Sequence, residues 1–282
     1  MTCNSSHPQL HFRDPMTDNH DTTVGYAGLR LERRGHTAIV TLTNPPAHTW
    51  TADSLAALTR LVGELNRDRE VYALVITGDG EKFFSAGADL KLFADGDKAV
   101  AATMARRFGE AFEALSGFRG VSIAAINGYA MGGGLECALA CDLRIVEAHA
   151  VMALPEATVG LLPCAGGTQW LSWTVGESWA KRMVLLGERV DAETALRIGL
   201  ADELAPKGGA LAKALQWAER VQAQSPTSVT ACKRLIQGAR TAPPQSQLAA
   251  EREAFIGLFE TDDQREGVQA FLGKRSPQWR NA

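Results

Sequence analysis

NGYAMGGGLECALACD, residues 127–142, is the stretch from which the rest of the chain is read. Gly132, Gly133 and Gly134 stand directly before a run of good helix formers, Leu135 to Ala140, so the triplet forms a turn from a strand into a helix. The first N–H groups of a helix have no intrahelical acceptor and lie at its positive end. With no side chain in the way, a ligand oxygen can come close to them. Such a terminus suits an oxygen that gains negative charge in a transition state, where one missing donor typically costs about 100-fold to 1000-fold in rate. Glu136 follows within the first helical turn. The same pattern also serves close helix packing with a dipole-favoured carboxylate at the helix start, and local sequence leaves both uses open.

A second glutamate lies twenty residues on. VMALPEATVGLLPCAGGTQWL, residues 151–171, sets Glu156 behind Pro155 and ahead of a turn at Pro163, Gly166 and Gly167. Two carboxyl groups in one cleft can divide acid and base duties, because their surroundings push their proton affinities apart. The pair points to proton-transfer chemistry.

A second turn could supply another donor. After the strand-like VYALVIT of residues 71–77 and a Gly-Asp-Gly turn comes KFFSAGADLKLF, residues 82–93, in which Ser85 to Asp89 are small. An anion hole needs two convergent donors, which turns at the ends of neighbouring strands can provide. An ordinary strand-to-helix loop capped by Asp89 has the same composition.

Together these segments, with TLTNPPAHTW near the start and FETDDQREGVQAFLGKRSPQW near the end, resemble the enoyl-CoA hydratase/isomerase, or crotonase, family from about Leu29 to Trp279. The resemblance implies an α/β fold, a crotonase-like superhelix of repeated ββα units with a C-terminal helical oligomerisation region. It implies that the amides of Ala88 and Gly133 hold a thioester oxygen, with Ala86, Asp89, Leu90 and Lys91 in the substrate-binding segment. Retention of both Glu136 and Glu156 favours hydration of a 2-enoyl-CoA over double-bond isomerisation, with Glu136 as base and Glu156 as acid, roles that could be exchanged. It further implies an acyl-CoA thioester substrate, no metal or redox cofactor because CoA is part of the substrate, and a homotrimer or dimer of trimers. In that assembly Lys274 would meet the CoA nucleotide of an adjoining subunit; a solvated helix end is the alternative. The family commonly has Asn-Ala-Leu or Asn-Ala-Met where this chain reads His48-Thr49-Trp50. His48 is read as a turn residue capping backbone groups, and Trp50 as either a core aromatic or an acyl-tunnel wall.

Composition agrees with a globular enzyme. The 282 residues are 45% hydrophobic and 22% charged, enough to bury a sizeable core. A net charge of −3 gives no global attraction to nucleic acid or to an anionic CoA ester, and no basic stripe with interleaved aromatics suggests RNA binding, an activity the resemblance leaves open alongside a non-catalytic CoA-ester binder. Five cysteines without a CxxC pair suit a reducing, cytoplasmic setting; Cys137 and Cys141, four apart on a helix, read as buried thiols rather than half of a zinc site. No apolar run reaches the ~18 residues of a membrane span, and no signal or transit peptide is visible. Residues 1–25 read as a disordered extension in which Met16 is an alternative start, residues 26–200 as the ββα core, and residues 201–282 as a helical region. Strands are expected at 29–32, 37–42, 71–77, 121–126 and 142–147, and helices at 52–66, 97–115, 134–140, 177–186, 191–198, 210–224, 226–239 and 245–260.

Overall fold

The computed structural model describes residues 23–282. The chain opens with β1 (Thr23–Tyr26), β2 (Leu29–Arg34) and β3 (Thr37–Leu42), then α1 (Ala52–Arg67), β4 (Ala73–Gly78), β5 (Phe83–Ser85), α2 (Lys98–Ser116), β6 (Val121–Ile126), β7 (Tyr129–Met131), α3 (Gly133–Ala140), β8 (Leu143–Glu147) and β9 (Val151–Ala153). After these come α4 (Gly167–Leu185), β10 (Val190–Asp191), α5 (Ala192–Arg197), β11 (Glu203–Ala205), α6 (Ala210–Gln222), α7 (Pro226–Gly238), α8 (Pro244–Leu258) and α9 (Asp262–Leu272). Of the segment read as a disordered extension, residues 1–22 lie outside the described residues. Thr23 to Gly25 belong instead to β1, which pairs antiparallel with Glu32 to Arg30; their backbone groups satisfy one another in a hairpin that sequence composition did not signal.

Seven strands form one sheet in the order β1-β2-β3-β4-β6-β8-β11, with β3, β4, β6, β8 and β11 parallel. The central strands are buried along their length, as expected of a parallel sheet covered on both sides. Alternate residues divide between two cores. Val40, Leu74, Ile76, Ala124, Ile126 and Val146 face α1, α2 and α3, while Ala73, Val75, Ile123, Ala125 and Ile145 face α6. Ala210, Ala214 and Ala218 form a small-residue stripe at a four-residue period, which lets α6 approach that second face closely.

The boundary drawn at residue 200 is therefore corrected. β11 pairs with β8 through Glu203↔Ile145 and Ala205↔Glu147, and α6 closes the sheet, so both belong to the core. The buried Glu147 carboxylate takes the Gly208 and Ala210 amides at 2.8 and 3.2 Å, tying the start of α6 to the end of β8. An extended piece of three residues gives no sign in isolation of which sheet it joins.

The short strands β5, β7, β9 and β10 build a second sheet in the order β10-β9-β7-β5. Phe83 pairs with Tyr129, Ser85 with Ala130, Ala130 with Met152 and Met131 with Ala153, all parallel. Parallel pairing brings the carboxyl ends of β5, β7 and β9 side by side, and the segments that follow those ends hold Ala86 to Asp89, Gly132 to Glu136 and Pro155 to Glu156. Helix α4 begins at Gly167, earlier than expected, and breaks at Gly176 (φ 77°, ψ 161°), after which the expected helix resumes at Glu177. Cys137 and Cys141 are buried in α3 and its cap, and desolvation pushes the Cys141 thiol up to about 12. They are core thiols.

Candidate active site

The turn after β7 takes the form its glycines permit. Gly132 has φ 52°, a left-handed conformation, and Gly133 then opens α3. A β-carbon on Gly134 would stand 2.2 Å from the Ser85 carbonyl oxygen, so the helix start lies directly on β5. As the first residue of α3, Gly133 has an amide with no acceptor inside the helix.

The turn after β5 presents a second amide. Trp50 N–H donates to the Gly87 carbonyl at 2.8 Å. Gly87 C=O and Ala88 N–H belong to one trans peptide plane, so a carbonyl aimed at Trp50 sends the Ala88 N–H the opposite way. Ala88 and Gly133 both line one cleft of about 860 Å³. Their mutual approach depends on Gly87 (φ 86°): a β-carbon there would stand 2.7 Å from the Met131 carbonyl and 3.0 Å from the Gly133 nitrogen. The Ser85 hydroxyl braces the same loop, donating to the His48 carbonyl at 2.7 Å and accepting from the Gly87 amide at 3.2 Å.

Glu136 and Glu156 line the same cleft but are held differently. Glu136 is 2% exposed, and its Oε1 accepts from the amides of Ala165 and Gly167 at 2.7 and 2.9 Å. Burial raises its proton affinity, and the two N–H donors oppose that shift by favouring the ionised form. Glu156 starts a short 3-10 turn, Glu156–Val159, and its buried Oε2 has no hydrogen-bond partner among the described residues. Desolvation, together with repulsion from Glu136, pushes its carboxyl up to about 7. The site thus pairs an acceptor steadied by two amides with a carboxyl poised to hold or release a proton near neutrality.

Ala86, Ala88, Asp89, Leu90, Lys91, Gly133, Glu136 and Glu156 meet in this cleft. Asp89 caps a 3-10 turn, Leu90–Phe93, by accepting from the Lys91 amide at 3.1 Å, so the capping role and the cleft wall coincide in one loop. Lys274 is not brought to the cleft of its own chain. α9 stops at Leu272 and is capped by Gly273, so Lys274 lies just past the helix end, in a left-handed conformation (φ 51°). His48 Nε2 lies 2.8 Å from the Asp79 carbonyl and serves the backbone, as read. Trp50 is 2% exposed and packs edge-on against Phe112, which places it in the core and outside the cleft lining.

Sequence reading missed one wall. Ala101, Met104, Ala105 and Phe108 of α2 line the cleft, as do Leu161 and Leu162 of the loop after Glu156. Their spacing is that of any amphipathic helix, so nothing local separates a cleft face from a core face. Cys164 also lines the cleft; desolvation, with the two carboxylates adding, raises its thiol to about 11, which suppresses the nucleophilic thiolate at neutral pH. Among the described residues no group of three or more His, Cys, Asp or Glu side chains could hold a metal ion, and no described helix is long and apolar enough to cross a membrane.

Comparison with known proteins gives a consistent set of relatives. A family profile described as enoyl-CoA hydratase/isomerase matches residues 32–282. The 2,3-dehydroadipyl-CoA hydratase of Escherichia coli (strain K12) is 39% identical over 255 residues, spanning 89% of this chain and 98% of the relative. The (E)-benzylidenesuccinyl-CoA hydratase of Thauera aromatica is 36% identical over 253 residues, again 89% and 98%. A solved structure of Pseudomonas aeruginosa DspI is 62% identical with a TM-score of 0.88, covering 94% of this chain and 99% of that one. An enoyl-CoA hydratase structure from Bacillus anthracis is 31% identical with a TM-score of 0.88, covering 91% and 100%.

Proposed function

Because the chain belongs to the enoyl-CoA hydratase/isomerase family, we propose that it is a hydratase, adding water syn across the 2,3 double bond of a 2-enoyl-CoA thioester to give a 3-hydroxyacyl-CoA. The observation that carries this reading is the pairing of two differently held carboxyls, Glu136 and Glu156, in the cleft that Ala88 and Gly133 also border.

In this mechanism the amides of Ala88 and Gly133 donate to the thioester oxygen as it becomes enolate-like, which draws electron density from C3. Water lies between the carboxyls. Glu136, held by two amides, takes its proton as oxygen bonds to C3, and Glu156 delivers a proton to C2. The C2–C3 π bond supplies the electron pair for the new C2–H bond. The thioester delocalises the charge throughout, so the scheme uses no metal or redox cofactor.

The assembly we propose is a trimer or a dimer of trimers. It would cover apolar side chains left on the C-terminal helices, where Phe255, Ile256, Phe271 and Leu272 are each more than half exposed. Lys274 would reach the CoA nucleotide of a neighbouring subunit as a point charge.

The deciding experiment is an assay of 2-enoyl-CoA esters followed by loss of enoyl absorbance with product identification. A 3-hydroxyacyl-CoA product supports hydration. A shifted double bond without uptake of water would instead make the chain an isomerase, and no turnover of any ester would leave only binding.

A further inference from the structure

The Ala88 amide is aimed from a distance. In the turn that follows β3, Asn44 Nδ2 donates to the Thr49 carbonyl at 2.7 Å and to the Thr49 hydroxyl at 3.3 Å, while the Asn44 carbonyl accepts from the His48 amide at 2.7 Å. Thr49 C=O and Trp50 N–H share one trans peptide plane, so a carbonyl drawn toward Asn44 sends the Trp50 N–H the opposite way. That N–H is the group that holds the Gly87 carbonyl at 2.8 Å, and the plane of Gly87 C=O carries the Ala88 N–H on its other side. Two peptide planes thus stand in series between the Asn44 side chain and the proposed anion hole. Amides linked head to tail polarise one another, so a donor at the far end of the line strengthens the donor at the near end as well as fixing its direction.

Neighbouring contacts leave this line little room to turn. Trp50 and Ala88 form an isolated parallel bridge, the Ala86 amide donates to the Ala47 carbonyl at 2.9 Å, and the Ser85 hydroxyl donates to the His48 carbonyl at 2.7 Å. His48 has φ 52°, a conformation that L side chains rarely adopt. Its Nε2 faces the Asp79 carbonyl and therefore carries the ring proton, since a carbonyl can only accept. The Gly133 amide takes no part in the line, because it belongs to the start of α3.

From this geometry we infer that Asn44 is a positioning residue for the reaction: through Trp50 and Gly87 it sets the direction and strength of the Ala88 donor, although it stands outside the cleft lining. The inference rests on the proposed anion hole, and it concerns the aim of one donor rather than the chemistry at the carboxyls.

The test sets Asn44→Ala and Asn44→Asp beside the parent, each as the full chain. Infrared difference spectra of bound butyryl-CoA with an isotope-labelled thioester carbonyl read the hole itself, since donation to that oxygen lowers its stretching frequency. In the parent the band should lie below that of the free ester. In Asn44→Ala it should return part of the way, with Gly133 still donating and the dissociation constant for butyryl-CoA within about threefold of the parent. For a 2-enoyl ester kcat should fall by at least about tenfold and KM should move by no more than about threefold. Asn44→Asp keeps the shape of the side chain but turns an acceptor toward the Thr49 carbonyl, so the band and kcat should both move further than in Asn44→Ala. A parental band in both variants would overturn the inference. So would a loss of butyryl-CoA binding as large as the loss of kcat, which would make Asn44 a support of the fold alone. A parent band at the free-ester frequency would remove the anion hole and this inference with it, whereas a band that responds to Asn44 without any hydration would remove only the hydratase reading.

Discussion

Gly132 faces Glu156 so closely that a β-carbon on the glycine would stand 3.0 Å from Oε1 of the carboxylate. The turn that opens α3 and the turn that carries the second glutamate thus share one contact, and the first expectation follows from it. Gly132→Ala meets both a left-handed backbone (φ 52°) and the carboxylate, so it should displace Glu156 and lower kcat by at least about tenfold. Steady-state kinetics on variants checked for fold by circular dichroism would show it; parental kcat would mean that the carboxylate position does not matter.

Glu136→Gln and Glu156→Gln should each lower turnover by about 100-fold or more, the usual worth of a positioned acid or base. The double variant should lose less than the product of the two losses, because both groups act on one water. Multiplicative losses would show that the two carboxyls serve separate steps.

Gly87→Ala should collapse activity. Its β-carbon would press on the Met131 carbonyl at 2.7 Å and on the Gly133 nitrogen at 3.0 Å, and the residue has φ 86°, so the two amides would be forced apart. Ala88→Ser keeps its backbone donor and should be far milder. Equal activity in the two variants would place the thioester oxygen elsewhere.

The raised carboxyl of Glu156 also links folding to pH. Its value moves from an ordinary 4.5 to about 7 in the folded chain. The folded state therefore binds the proton more tightly, and this contribution is fully present below about 4.5, falls as pH rises from about 4.5 to 7, and is gone above 7. Glu156→Gln should accordingly be more stable than the parent at pH 8, by about 1 to 3 kcal/mol, with the difference shrinking toward pH 5. Denaturant melts at the two pH values would measure it. A constant difference would mean that Glu156 does not titrate in this range. For hydration, activity should decline above about 7 as the acid ionises, and that limb should be absent from Glu156→Gln.

Lys233 joins α7 to the sheet. Its Nζ donates to Asp142 Oδ2 at 2.7 Å and to the carbonyls of Phe118 and Gly120 at 2.6 and 3.0 Å. Lys233→Met should destabilise the fold by about 2 kcal/mol, since it takes the cation from a largely buried carboxylate, which keeps only its two Ser122 donors, and removes the shared donor of two carbonyls. Adding Asp142→Asn should return part of that loss, which chemical denaturation of both variants would resolve.

The candidate site was legible where its turns are written in glycine. Gly132 to Gly134 and the small residues 85–89 marked two turns in the sequence, and the structure sets residues of both along one cleft with Glu136 and Glu156. The strands that bring those turns together were not legible: β5, β7 and β9 are three residues each, too short for any periodicity to show. Membership of β11 in the main sheet is a long-range pairing with β8, and the cleft face of α2 matches a core face in its spacing. The burial that sets Glu136 apart from Glu156 is likewise a product of packing, with the Ala165 and Gly167 amides arriving from the turn into α4, twenty-nine and thirty-one residues away.

Glu136 and Glu156 also differ in how far they are woven into the molecule. Every residue of α3 from Gly133 to Ala140 is buried, and the start of the helix lies directly on β5. Glu156 begins a four-residue turn with no buried member, ending at the left-handed Gly160 and running on into exposed Leu161 and Leu162. Inheritance can therefore treat the two differently. The first glutamate is fixed by the architecture, whereas the turn with the second can be rewritten at small cost to stability, so new reactions on this scaffold are most accessible through changes at residues 156–162.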